Sequence, residues 1–241
     1  MKYLVFLLGL FFSTFANSTD PERLEIVSEH WPPFIVQIDS TTQHVGGLVT
    51  EKIKQIFDNS AIPYQIMVYP WARSYHLAKT KPNVLIYSIF RTPEREPYFH
   101  WFCPIHEKTP VNIYKLKNNA IDISTLAPLK SAAVGVLRND NSHTYMLKNG
   151  FKEKQNLIVS SNEETNIKNI LNGKIDVVIQ SRDALIYRLK NTGFTIDNFE
   201  AGYQLHKSNS TEHCMALSKS SSEDVRLAIE KAFKNWRNES H

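Results

Sequence analysis

An α/β fold built on mostly parallel sheets is what this sequence predicts, and three observations carry the prediction. Segments with strand-like patterning alternate with segments at helical spacing along nearly the whole chain. Two of the strand candidates, Val84 to Phe90 and Ile175 to Ile179, are short and almost continuously apolar, as strands buried on both faces are. The alternation also runs twice, in two series separated by a proline-bounded stretch at 104–110.

In the first series, Arg23 to Ser28 reads as a strand. Glu29-His30-Trp31-Pro32-Pro33-Phe34 follows, and its prolines exclude regular structure, so Trp31 and Phe34 are expected on a stiff loop. A polar excursion from Asp39 to His44 leads to Gly46-Gly47, a flexible entry to a helix. That helix carries Leu48, Val49, Ile53, Ile56 and Phe57 close to helical spacing. Tyr64 to Tyr69 is a second strand, and Pro70-Trp71-Ala72-Arg73 opens a second helix with Pro70 near its first position.

The run Val84 to Phe90 ends in a dense cluster of charge. Thr92 fits an N-cap, Pro93 a first helical position and Glu94 a first-turn acid, while Pro97 keeps the turn short. Arg91 and Arg95 therefore leave the carboxyl end of a buried strand on a rigid corner, where open α/β sheets bind ligands. A guanidinium is a planar fork suited to a carboxylate or phosphate. The same residues also fit a solvated loop in which Glu94 and Glu96 satisfy both arginines.

Tyr98 to Phe102 and Val111 to Leu116 read as extended. The second series begins with a strand at Ala132 to Leu137, a polar turn at Arg138 to Ser142 and a short helix ending at Gly150. Leu157 to Ser160 is a strand, and a helix from Asn162 stops at Asn172-Gly173. After the strand Ile175 to Ile179, Ser181 caps a helix bearing Leu185, Ile186 and Leu189. Phe194 to Phe199 and Glu212 to Leu217 are expected strands. Ser221 or Ser222 caps a closing helix whose stripe is Val225, Ile229, Ala232, Phe233 and Trp236.

Residues 1–16 have the pattern of a secretory signal peptide: Lys2, an apolar core from Leu4 to Phe12, and small residues in Thr14-Phe15-Ala16 before the cleavage point. The core is too short for a membrane span, which needs about 20 residues. An exported, periplasmic protein without membrane insertion after cleavage is expected. The 28 Lys+Arg against 24 Asp+Glu are scattered, which leaves no footprint for nucleic acid. Cys103 and Cys214 are the only cysteines, and either one long-range bridge or two buried thiols fits an oxidising compartment.

No nucleophile elbow, phosphate loop or dinucleotide fingerprint is present, and the nine histidines form no metal-spaced pair. Neither a cofactor nor a metal is expected. Glu29, Asp140, Asp176 and Asp183 have the chemistry for acid–base work, but the sequence pairs none of them.

Taken together, the residues 22–237 resemble the periplasmic solute-binding proteins of the polar amino-acid family, whose fold is the two-lobed type II architecture. The resemblance rests on Glu29-His30-Trp31-Pro32-Pro33-Phe34, Gly46-Gly47-Leu48 and Arg91-Thr92-Pro93-Glu94-Arg95-Glu96. It is carried further by Trp101-Phe102-Cys103-Pro104-Ile105, Gly135-Val136-Leu137 and Leu171-Asn172-Gly173-Lys174-Ile175-Asp176. It implies one lobe from 22–105 and 207–241, a second from about 111–202, and two hinge crossings. It further implies a monomer that captures a small carboxylate-bearing ligand, closes over it and presents it to a membrane permease or a sensor. An enzyme on the same fold, similar to the cyclohexadienyl dehydratases, is the alternative, with Glu29 as its cleft acid.

By that resemblance Arg95 holds the ligand carboxylate, Trp31 stacks on the ligand, and Tyr87 and Ser88 add polar contacts. The turn Arg138 to Ser142, with Asn141 and Ser142, closes over the carboxylate. Trp71 and Arg73 resemble a subgroup of the family and are candidates for stacking and charge; a core anchor and a surface ion pair suit them equally. The family's ammonium-pairing acid is replaced by Ser181, with Glu29 or Asp183 able to compensate. A cleft so composed is expected to prefer an anionic or aromatic carboxylate over a cationic amino acid. The resemblance also makes the segments of Cys103 and Cys214 antiparallel neighbours, which implies a disulfide.

Overall fold

The computed structural model describes residues 23–39, 44–206 and 212–239, so the signal-type segment 1–16 lies outside the described residues. The first series forms β1 (Leu24–Ser28), β2 (Val36–Asp39), β3 (His44–Gly46), α1 (Leu48–Asp58), β4 (Tyr64–Val68), α2 (Trp71–Thr80) and β5 (Val84–Ile89). Strands β6 (Phe99–His106) and β7 (Val111–Leu116) flank the first crossing. The second series is β8 (Val134–Leu137), α3 (Asn141–Lys148), β9 (Leu157–Ser160), α4 (Glu163–Leu171), β10 (Val177–Ser181), α5 (Arg182–Leu189) and β11 (Phe199–Gln204). β12 (His213–Ser218) and α6 (Glu223–Glu239) return to the first sheet.

Two five-stranded sheets result, ordered β4-β1-β5-β12-β6 and β11-β7-β10-β8-β9. Each contains a strand–helix–strand–helix–strand unit whose first strand lies between the other two. In each, one strand that has crossed from the other lobe, β12 or β7, runs antiparallel to its neighbours. The other four strands of each sheet share a direction, so the sheets are mostly parallel and helices cover them. Separate cores pack each lobe, one around Ile26, Leu85, Phe57 and Phe233, the other around Val134, Val177 and Met146.

Several boundaries differ from the sequence reading for local reasons. The polar excursion is flanked by a β2–β3 hairpin. Pro70 is the N-cap of α2 rather than its first residue. The expected strand at Phe194 starts only at Phe199, because Thr195 and Asn198 cap each other across a short 3-10 turn at Ile196–Asn198. Pro97 sits inside a second such turn, Glu96–Tyr98, which follows the turn at Thr92.

Gly47 has φ 109°, and a Cβ there would stand 2.6 Å from the Phe34 carbonyl oxygen. That approach lets the Phe34 carbonyl accept the amides of Val49 and Thr50, which the helix itself leaves unpaired. The aromatic loop after β1 is thereby fixed to the start of α1.

A disulfide joins Cys103 of β6 to Cys214 of β12, with Cα atoms 4.6 Å apart and a sequence separation of 111. Cross-linking a loop of that length restricts the unfolded chain by about 4–5 kcal/mol in the loop-entropy relation. Reduction is expected to lower the melting temperature by roughly 10 °C. Calorimetry with and without reductant checks this; an unchanged transition would show that the bridge adds no stability.

Candidate functional site

The strand order places the site. In β4-β1-β5 the connection out of β1 runs through α1 on one face and the connection into β5 runs through α2 on the other, so the loops at the carboxyl ends of β1 and β5 part and leave a crevice. β8 and β10 make the same crevice in the second lobe, and the two face each other. A cavity between them is lined from β1 by Glu29 and Trp31, from β5 by Ser88 and Phe90, and beyond it by Arg95. The second lobe contributes Asp140, Asn141 and Ser142 after β8, and Gln180 and Ser181 at the end of β10. Room for water-sized groups is about 70 Å³, or several such groups at about 10–15 Å³ each.

The lobes touch at the cavity rim. Trp71 Nε1 donates to the Asn139 carbonyl at 2.9 Å, and Arg188 Nη2 donates to the His30 carbonyl at 3.0 Å. Lys148 of α3 forms an ion pair with Glu94 of the opposite lobe.

Arg95 is 6 % exposed. Its Nη1 donates to the Phe90 carbonyl at 3.1 Å, and its guanidinium lies 5.0 Å from the Trp71 ring centre and 5.4 Å from that of Tyr75. Among the described residues no carboxylate pairs with it. Arg91 takes the other fate the sequence allowed: exposed, it pairs with Glu96. Burial draws the Arg95 pKa down from its very high ordinary value, with Tyr75 and Asp140 opposing, and the guanidinium stays charged.

Three carboxylates share this cavity. Glu29 has neither hydrogen bond nor ion pair among the described residues, and its remaining surface faces the cavity. Burial, then repulsion from Asp140 and Glu163, raises its pKa well above the ordinary range. Glu163, at the first position of α4, accepts from Asn166 at 2.9 Å; burial pushes it up to about 7 against the pull of Arg188. Asp140 caps α3, accepting from the His143 amide at 2.8 Å and the Ser142 hydroxyl at 2.7 Å. Burial raises its pKa, and those bonds hold it back. Arg188, 9 % exposed, also donates to Gln180 and Glu164, each at 3.3 Å.

Of the residues expected at the site, Arg95, Trp31, Trp71, Ser88, Asn141, Ser142 and Ser181 line the cavity. Ser181 also caps α5 through the Ala184 amide. Tyr87 does not line it: the side chain next to Ser88 points the other way, fully buried in the first core with its hydroxyl 2.9 Å from that of Thr50. Phe34 is likewise core. Arg73 is exposed and lies 4.1 Å over the Tyr69 ring, so it supports the outer wall rather than the cavity.

Of the two acids able to compensate for Ser181, Glu29 lines the cavity, where Glu163 joins it, while Asp183 is exposed on α5. Glu163 and Arg188 were missed. A first-turn acid after a capping asparagine fits helix-dipole pairing alone. Arg188, two turns beyond Ser181 on the same face of α5, carried the one usable signal.

No protein-family model and no curated protein matches the sequence. Solved structures match at the level of fold. A histidine kinase sensor domain with similarity to periplasmic binding proteins superposes with a TM-score of 0.76 at 12% identity, covering 91% of this chain and 92% of the other. An ancestral arginine-binding protein bound to arginine gives 0.73 at 17%, covering 90% and 93%. An amino acid ABC transporter substrate-binding protein from Streptococcus pneumoniae bound to L-arginine gives 0.70 at 19%, covering 90% and 89%. Two crossed α/β lobes of this order, facing one another across a cleft, make the fold of this chain that of the type II periplasmic binding proteins.

Proposed function

We propose that this chain is an exported binding protein that closes two lobes over a small carboxylate-bearing solute, an amino acid or a close relative. The observation that carries the reading is Arg95, a buried guanidinium on the cavity wall with no carboxylate partner among the described residues. A charge withdrawn from water needs a partner, and the ligand carboxylate supplies it. The first-turn amides of Asn141 and Ser142, which α3 cannot satisfy internally, lie across the cavity. Trp31 and Trp71 provide the aromatic walls.

Carboxylates outnumber guanidiniums in the cavity by three to two, counting Glu29, Asp140 and Glu163 against Arg95 and Arg188. With all three carboxyls ionised, as cationic groups placed against Glu29 and Glu163 favour, a ligand with one net positive charge balances that count. This reverses the expected preference for an anionic or aromatic carboxylate over a cationic amino acid. The arginine bound in two of the similar structures supports it. The signal-type amino terminus supports a periplasmic location, and the similar structures include both a transporter protein and a sensor domain as precedents for the membrane partner.

The raised carboxyls favour a second reading, in which protonated Glu29 acts as a general acid in a dehydratase-like enzyme. Recovery of the ligand after prolonged incubation separates the two: unchanged ligand supports binding, and conversion supports catalysis.

A thermal-shift screen of basic, neutral and acidic amino acids on the mature protein tests the reading, since a ligand at about 100-fold excess over its Kd adds about 2.7 kcal/mol. Arg95→Lys keeps the charge and loses the fork. It is expected to weaken binding by about 1.5–3 kcal/mol in calorimetry with the ligand so found. An unchanged Kd would remove Arg95 from the site.

Glu163 gives a pH prediction. Its folded-state pKa of about 7 stands above the unfolded value of 4.5, so its stabilising contribution is complete at low pH and is lost as pH rises through 7. Across that window the ligand-free protein is expected to lose about 3 kcal/mol that Glu163→Gln does not lose. Melting profiles of the two from pH 5 to 8 measure the difference. Parallel profiles would mean that Glu163 is ionised throughout.

A further inference from the structure

His213 is fully buried at the start of β12, directly after the second crossing. Its Nε2 lies 2.8 Å from the hydroxyl of Thr109 in the first crossing, and its Nδ1 lies 2.5 Å from the hydroxyl of Ser88 on the cavity wall. The imidazole also stacks on Trp31, 4.9 Å between ring centres and 6° between planes, and meets Phe90 edge-on at 5.6 Å. One ring, placed where the second crossing enters β12, therefore touches the first crossing and three residues of the ligand-facing wall.

We infer that His213 is a positioning residue that joins the hinge to the wall, holding the plane of Trp31 and setting which hydrogen-bonding face Ser88 offers the ligand. The ligand-facing part of this rests on the function proposed above.

The chemistry follows from proton counting. A neutral imidazole carries one N–H, and each of its nitrogens faces a hydroxyl. With the proton on Nε2, the ring donates to Thr109 and Nδ1 accepts from Ser88, whose lone pairs then face the cavity. With the proton on Nδ1, the ring donates to Ser88, whose own proton is free to point at a ligand, while Thr109 donates to Nε2. The two arrangements differ only in tautomer and hydroxyl rotation, with no change of charge. Burial, with His106 and Lys52 nearby, keeps the ring neutral.

Thr109 does not line the cavity, so Thr109→Val probes the link without touching the ligand wall. The experiment uses ligand-free, 15N-labelled protein: imidazole nitrogen shifts report the tautomer, and small-angle scattering reports lobe separation. The valine cannot accept from Nε2, so the N–H is expected to reside on Nδ1 and the mean radius of gyration to rise. His213→Phe keeps the ring against Trp31 and loses both hydrogen bonds; it is expected to open the lobes while retaining the near-ultraviolet signature of Trp31. A proton that stays on Nε2 in Thr109→Val, or a wild-type radius in both variants, would overturn the inference. Because both readouts need no ligand, they judge His213 even if Arg95 proves not to bind a carboxylate.

Discussion

Two guanidiniums and three carboxylates line one cavity between the lobes, with Arg95, Arg188 and Glu163 buried, and the proposed recognition depends on their balance. In such a place an ion without a partner costs several kcal/mol. Arg188 meets that demand within the protein, through Glu164, Gln180 and the His30 carbonyl. Arg95 and Glu29 do not. Aromatic faces support Arg95 and a raised pKa relieves Glu29, but neither is the equal of an opposite charge in contact. A ligand bearing a carboxylate and positive charge satisfies both at once, which is why closure and recognition are one event in this account.

The fold delivers these groups by a repeated device. Each lobe opens a crevice where the strand order reverses, and each crevice receives short loops from the carboxyl ends of its strands. Rigidity comes from different sources on the two sides. In the first lobe, Gly47 admits the Phe34 carbonyl to the start of α1, and His213 backs Trp31. In the second, Asp140 caps α3 and Ser181 caps α5, so two helix starts face the cavity with their side chains already committed.

Most of the framework was legible in the sequence because periodicity, prolines and caps act locally. Arg95 was legible too, as a charge following a buried apolar run on a proline-stiffened corner. Tyr87 was expected at the site with Ser88 through the family resemblance, but adjacent residues of β5 face opposite ways, and the contact with Thr50 shows that Tyr87 takes the core face. Glu163, Arg188 and His213 were not legible as site residues. Their roles arise from juxtapositions across 24 to 158 residues of chain, and their local patterns fit ordinary caps, helix faces and strand ends. Charge balance in a shared cavity is a property of the assembled lobes, which is why the sequence, without Glu163 and Arg188 in view, led to an anionic or aromatic carboxylate where a cationic ligand is proposed.

The most direct measurement is a competition titration at fixed pH and ionic strength among L-arginine, its neutral isostere citrulline and L-glutamate. All three share the α-carboxylate and α-ammonium and differ in the charge of the side chain. The account predicts that arginine binds most tightly and glutamate most weakly. Tightest binding of glutamate would contradict it, and would mean that Glu29 and Glu163 remain protonated in the complex and do not serve as partners for a cation.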